Sequence, residues 1–307
     1  MVLRMSESIT FNTYILGKLA GELTFVNDDE SRSNYITFHY LDKYISDKAS
    51  IPLSVRLPVE DRHFTDRELF IFLQNLFPEG SIKEKINNIL KINSDDDIQV
   101  LVEVMGADIA GAIEFHPKGD PRPQPDTARP VKELNEEEIS SLINNITTTP
   151  FNIDRTAGRQ TRMSLAGAQP KVPISAKFDE HGNITVYRST LSLPTNYIVK
   201  PPRDDNKYPG LVFNEYLSMK AAQASGIDTP EVRLLDFKRD GIEETAFLIK
   251  RYDRAPNTES DPENSTNILN VVKVHQEDLC QALGHSPNQK YQYNSDGHEV
   301  GGGIKDL

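Results

Sequence analysis

Two residues of opposite charge, Lys200 and Glu215, and a small-residue segment, SLAGAQPK at 164–171, could do chemistry together in this chain. Moving a phosphoryl group from ATP needs backbone N–H groups that approach phosphate closely, a cation to neutralise it and a carboxylate to hold that cation. SLAGAQPK offers the close backbone. Lys200 ends an apolar strand pattern, NYIVK, and Glu215 lies in the helical pattern that follows. Leu211, Val212, Met219 and Ala222 recur at helical spacing around Glu215 and share its face. A carboxylate on such a face needs a partner. Singly, each feature has an ordinary reading: an inter-strand turn, a strand-end lysine in solvent, a helix-edge glutamate. In this order, the three together favour a phosphate-binding reading.

The elements that must position these groups follow from periodicity and punctuation. From 151 onward, RMSL, KVPISAKF, ITVYR and NYIVK read as strands, with DEHGN as a hairpin turn. PGLVFNEYLSMKAAQASG is the strongest helical pattern, closed by Gly226 with Pro230 beyond. PEVRLLDF and ETAFLIKRYD are strands around an Asp240–Gly241 turn, and HQEDLCQALG is a last short helix. Residues 1–117 read as a separate unit. ITFNTYILGKLAGELTFV forms a hairpin at Gly17, and NYITFHYL a further strand. FTDRELFIFLQNLFPEG is a helix with a Thr65/Glu68 capping box, and SIKEKINNILKI a second helix. DIQVLVEVMGADIAGAIEFHP combines helix, turn and strand. Residues 118–150 are a proline-rich linker and a short acidic helix, NEEEISSLINNI, because PKGDPRPQPDTARP carries five prolines.

Composition narrows the function classes. The 307 residues have room for two domains, and a formal charge of −12 cannot supply the basic surface that non-specific nucleic-acid binding rests on. DNA is therefore expected only through a local patch or a partner. No long apolar run suggests a membrane span or a signal peptide, so a cytoplasmic location without membrane contact is expected. The single cysteine, Cys280, excludes an internal disulfide and reads as a small core residue. The scattered histidines show no HExxH spacing and there is no GxSxG, so no metal site is expected among these residues.

The ordered set SLAGAQPK, TNYIVKPP, NEYLSMKAAQASGIDTPEV, LIKRYDR and HQEDLCQALG followed by KYQ resembles the HipA family, serine/threonine kinase toxins of bacterial toxin–antitoxin pairs. GELTF, LPVE, NLFPEG and VMGADIAGAIEF resemble that family's N-terminal subdomain. The resemblance implies an α+β fold: a HipA N-terminal subdomain over 1–117, the linker, and a kinase-like ATP-binding core over 151–307, an antiparallel sheet with one main helix. It implies ATP and magnesium as cofactors. Ser164 would be the autophosphorylated loop serine. Ala166, Gly167, Ala168, Gln169 and Lys171 would form the phosphate loop, Lys200 would meet phosphate, and Glu215 is the acidic residue of the NEY motif. Lys250, Arg251 and Tyr252 would meet the adenine. The implied partners are a HipB-like helix-turn-helix antitoxin, operator DNA reached mainly through it, and an aminoacyl-tRNA synthetase substrate such as glutamyl-tRNA synthetase. Its phosphorylation would inhibit translation and promote persistence.

Two departures matter. Pro170 replaces a charged residue and removes a backbone donor from the loop. The family's C-terminal all-helical lobe, with its catalytic aspartate and magnesium ligands, is expected to be absent, so no catalytic residue is identified. Asp296 in DGH resembles the catalytic segment but sits in the glycine-rich connection after KYQ. Two other readings stay open: a shortened, non-catalytic regulator that binds an antitoxin or nucleotide, and an unrelated acidic α+β protein.

Overall fold

The computed structural model describes residues 7–28, 33–91, 97–123, 132–148, 169–187, 195–203, 208–256 and 271–291. The chain divides into two compact units that do not follow chain order: 1–79, 92–122 and 275–307 form one, 80–91 and 123–274 the other.

The first unit opens with β1 (Glu7–Ile15) and β2 (Lys18–Asp28). The turn residues Leu16 and Gly17 both have positive φ, 49° and 74°, as a two-residue I′ hairpin requires. Glycine takes this conformation without the steric cost that Leu16 bears. β3 (Ser33–Tyr40), α1 (Asp42–Ile45), β4 (Phe64–Thr65) and α2 (Asp66–Gln74) follow. α3 (Gly80–Leu90) belongs to the second unit; α4 (Asp97–Met105) and β5 (Ile113–Pro117) return to the first. The antiparallel sheet runs β4-β3-β2-β1-β5. Phe11, Leu23, Phe38 and Phe64 from its strands are buried, as are Leu69, Phe72 and Leu73 of α2 and Leu101, Val102 and Met105 of α4. The expected Thr65/Glu68 capping box does not form. Thr65 is the N-cap but makes no side-chain bond, and Glu68 turns to Arg62 at 3.5 Å. Arg122 grips Glu114 with two bonds of 2.8 and 2.9 Å, fixing the start of the proline-rich segment to β5.

In the second unit, α5 (Glu136–Thr148) precedes β6 (Val172–Phe178), β7 (Ile184–Tyr187), β8 (Tyr197–Lys200), α6 (Leu211–Ala224), β9 (Val232–Arg239) and β10 (Ile242–Lys250). The sheet is antiparallel throughout, in the order β7-β6-β8-β10-β9. Strand alternation gives it two faces. Ile174, Ala176, Val199, Leu235, Phe237, Ala246 and Leu248 form the larger core together with Ile143 of α5. On the other side Val212 of α6 packs with Val232 and Phe247. α5 is thus part of this core rather than linker. Asn135 and Glu138 cap its start reciprocally, at 2.9 and 3.1 Å. A short ribbon, β11 (Arg254–Pro256) with β12 (Val271–Lys273), closes the described part of the unit.

The last helix, α7 (Leu279–Leu283), was expected with the kinase-like core but packs in the first unit. Glu277, just before it, accepts from Ser54 Oγ at 2.6 Å and from Val55 N at 2.9 Å. Gln281 donates to Phe72 O at 3.2 Å, and Asn75 donates to His285 O at 2.9 Å. These partners are more than 200 positions apart in the chain, so periodicity could not pair them. Among the described residues no helix is long and apolar enough to cross a membrane.

Ile143→Ala should destabilise the protein by about 2–4 kcal/mol in urea unfolding, because it opens a cavity between α5 and the sheet. A cost below about 0.5 kcal/mol would return α5 to the linker. Burial holds the His275 imidazole below its ordinary pKa, although the Pro52 backbone and the Glu277 charge pull the other way. The unfolded chain therefore binds the proton first, so stability is full above about pH 6.5 and falls as pH drops below it. His275→Gln should flatten that part of a pH–stability profile.

Candidate functional site

Strand β8 and helix α6 bring the two predicted charges together. Lys200 Nζ lies 2.6 Å from Glu215 Oε2, with the side chains 22% and 23% exposed. Lys200 falls on the α6 face of β8 because Tyr197 and Val199 take the other. Its register partner is Phe247, whose buried ring lies 5.5 Å beneath the ammonium. Glu215 reaches it from one turn beyond Val212, the residue that seats α6 on the sheet. The result is a half-buried ammonium held by a carboxylate on one side and an aromatic face on another, open enough to meet a second anion. Lys171 directly precedes the Val172↔Val199 pair, so strand alternation places it beside Lys200 on the same face.

At the far end of β10 the geometry is different. Arg251, 2% exposed, gives a bidentate pair to Asp253 at 2.9 and 2.7 Å and donates to Thr195 Oγ1 at 2.8 Å. Arg254 joins the same carboxylate at 2.8 Å. Two guanidiniums share one buried carboxylate, and the Arg251 bond to Thr195 ties the strand end to the segment just before β8. Asn196 adds to this lock: its side-chain amide bonds Ala176 N and O at 2.9 and 2.8 Å, as a strand neighbour would. The N–H groups of Lys250 and Arg251 are taken by Glu231 O and Asn196 O.

Placement of the other predicted residues varies. Gln169 is half-buried just ahead of β6. Ser164, Ala166, Gly167 and Ala168 lie outside the described residues, as does Asp296. Lys250 and Tyr252 are exposed, whereas Arg251 turns inward. Cys280 is half-buried, and burial and the Asp278 charge push its thiol pKa up, which fits a packing residue. Among the described residues no three His, Cys, Asp or Glu side chains gather as a metal site. Asp253, Thr195 and Asn196 were not singled out from the sequence. Asp253 had one visible signal, its place between two arginines in KRYDR.

With this geometry in hand, comparison with known proteins is decisive. The HipA N-terminal domain model matches residues 11–116, and the HipA-like C-terminal domain model matches 163–306. The chain belongs to the HipA family. "Putative kinase Y4mE" of Sinorhizobium fredii is 30% identical over 291 residues, which cover 91% of this chain and 60% of that protein. The serine/threonine-protein kinase toxin HipA of Shewanella oneidensis is 29% identical over 302 residues, 98% of this chain and 61% of the toxin. A solved structure of Shewanella oneidensis HipA with HipB and operator DNA matches with a TM-score of 0.69 and 25% identity, covering 96% of this chain and 62% of that one. The chain thus spans about three-fifths of the length of these HipA relatives. α7 lies inside the C-terminal match yet packs with the N-terminal unit.

Asp253→Ala should cost about 3–5 kcal/mol in denaturant unfolding, since two buried guanidiniums lose their counter-charge. A cost under about 1 kcal/mol would mean that the network is not buried in solution.

Proposed function

We infer that the protein works as a HipA-type serine/threonine kinase toxin whose second unit holds ATP. The observation that carries this reading is the Lys200–Glu215 pair, 2.6 Å apart on the open face of an antiparallel sheet. Lys200 would neutralise ATP phosphate charge, and Glu215 and Phe247 would keep the ammonium aimed there. Lys171, Gln169 and the backbone of Ala166, Gly167 and Ala168 would complete the phosphate cradle. The residues present fit a polyphosphate, because a half-buried cation keeps donor capacity beyond its one carboxylate.

The adenine contact needs adjusting. Lys250 and Arg251 use their N–H groups within the unit, and the Arg251 side chain belongs to the Asp253 network. Adenine recognition therefore shifts away from those two donors. Ser164, modified by phosphate, would place negative charge where ATP phosphates must sit and so act as an off-switch.

Transfer to a protein serine also requires groups that orient the hydroxyl and hold magnesium. The family resemblance assigns these to an all-helical lobe. By the same resemblance the substrate would be an aminoacyl-tRNA synthetase such as glutamyl-tRNA synthetase, with translation arrest and persistence as consequences. The relative's complex with HipB and operator DNA supports a HipB-like antitoxin as partner. At a net charge of −12, this chain would reach DNA mainly through that partner.

ATP binding measured by calorimetry tests the nucleotide site. Lys200→Ala should weaken it at least tenfold, about 1.4 kcal/mol, and Glu215→Gln by a smaller factor, with the thermal midpoint nearly unchanged. Wild-type affinity in Lys200→Ala would remove the assignment. A parallel phosphorylation assay on a synthetase substrate separates holding nucleotide from transferring phosphate.

A further inference from the structure

The first unit contains a cleft of ≈ 230 Å³ that the nucleotide site does not use, walled by three segments distant in sequence: Ser54, Arg56 and Leu57; Arg67, Glu68, Ile71 and Phe72 of α2; and Gln281 and Gly284 around α7. Its floor is apolar, from Leu57, Ile71 and Phe72. Its rim carries two guanidiniums, and among the described residues neither Arg56 nor Arg67 has a side-chain hydrogen bond or ion pair. Both guanidiniums thus keep their donors open to an anion, in a chain that carries 46 carboxylates against 34 lysines and arginines. The one acidic lining residue, Glu68, is turned to Arg62 at 3.5 Å. Glu277 nearby is occupied by Ser54 Oγ and Val55 N.

The cleft is pre-formed. Tyr40 Oη donates to Leu57 O at 2.6 Å and accepts from Leu53 N at 2.7 Å, which fixes the loop that carries Arg56. Arg56 lies flat against Gly284: a Cβ there would stand 2.7 Å from the guanidinium carbon. Glycine at this point, already at φ +73°, is what lets the guanidinium sit at the rim.

We propose that this cleft binds a small organic phosphate monoester, its dianionic head on Arg56 and Arg67 and its apolar body on Leu57, Ile71 and Phe72. Two rigid forks match a dianion better than a single carboxylate. The volume lies below the ≈ 300–1,000 Å³ of drug-sized sites, so the body is no larger than a single ring or short chain. Because α7 forms one wall, an occupant also ties the segment after Val274 to α2.

Calorimetric titration of the full chain with phenyl phosphate tests this, with inorganic phosphate as the head-only probe. Saturable one-to-one binding of phenyl phosphate is expected, at least tenfold tighter than inorganic phosphate. Arg56→Gln and Arg67→Gln should each weaken it tenfold or more, and Arg67→Lys should restore little, because the fork is lost. Both arginines are exposed, so the variants should keep the wild-type circular dichroism and melting temperature. Lys200→Ala should leave the binding unchanged, which separates this cleft from the nucleotide site. No saturable binding, undiminished binding in the double Arg56→Gln/Arg67→Gln variant, equal affinity for inorganic phosphate, or loss of binding in Lys200→Ala would each overturn the proposal.

Discussion

The Lys200–Glu215 pair depends on two periodicities agreeing. Alternation along β8 must put Lys200 on the face away from the large core, and the helical phase of α6 must turn Glu215 toward it. Val199 and Val212 enforce this, one from each element, because burying them leaves no other orientation. A pair exposed by about a fifth on each side adds little stability of its own, at most about 1 kcal/mol for ion pairs of this kind. Its energy is therefore better understood as orientation: the surrounding apolar contacts hold the strand and helix, and the pair aims one ammonium.

The sheet of the second unit separates support from chemistry. One face, covered by α5, carries most of the buried apolar residues. The other has only a small cluster, Val212, Val232 and Phe247, beside the lysine. Phe247 serves both roles, filling that cluster while presenting its ring to Lys200. The buried Asp253 carboxylate between Arg251 and Arg254 does the corresponding work at the strand ends. A buried charge network is weak evidence for net stability, since desolvation offsets the attraction. What it supplies is a fixed path for the chain leaving β10, which a well-packed apolar turn would not specify as tightly.

Much of this was legible before the structure. The hairpins at Gly17 and Gly241, the α6 helix and the partnership of Lys200 with Glu215 follow from local spacing, and local spacing survives folding. What escaped was decided by partners that spacing does not pair, some of them far away in sequence. NEEEISSLINNI reads as a short acidic helix because three of its first residues are glutamates, yet Ile143 inserts into a core formed by strands up to about a hundred positions later. Thr65 and Glu68 have capping-box spacing, but Arg62 competes for the glutamate. Arg251 reads as part of the segment that would meet the adenine, yet Thr195 and Asp253 close around its side chain. In each case the residue type was visible and its partner was not.

The placement of α7 carries the strongest consequence for how such chains divide. A boundary drawn where the C-terminal family match begins would keep α7 with the second unit and remove Ser54, Val55, Phe72 and Asn75, which satisfy the polar groups of α7 and its flanks. A fragment cut there would carry Glu277 without its donors and the buried Gln281 without its acceptor. Those groups would turn to water instead, and a five-residue helix without its packing partners does not hold its conformation in isolation. The helix belongs by descent to one domain and by physics to the other. The chain after β12 therefore completes the first unit through hydrogen bonds that sequence adjacency does not foretell.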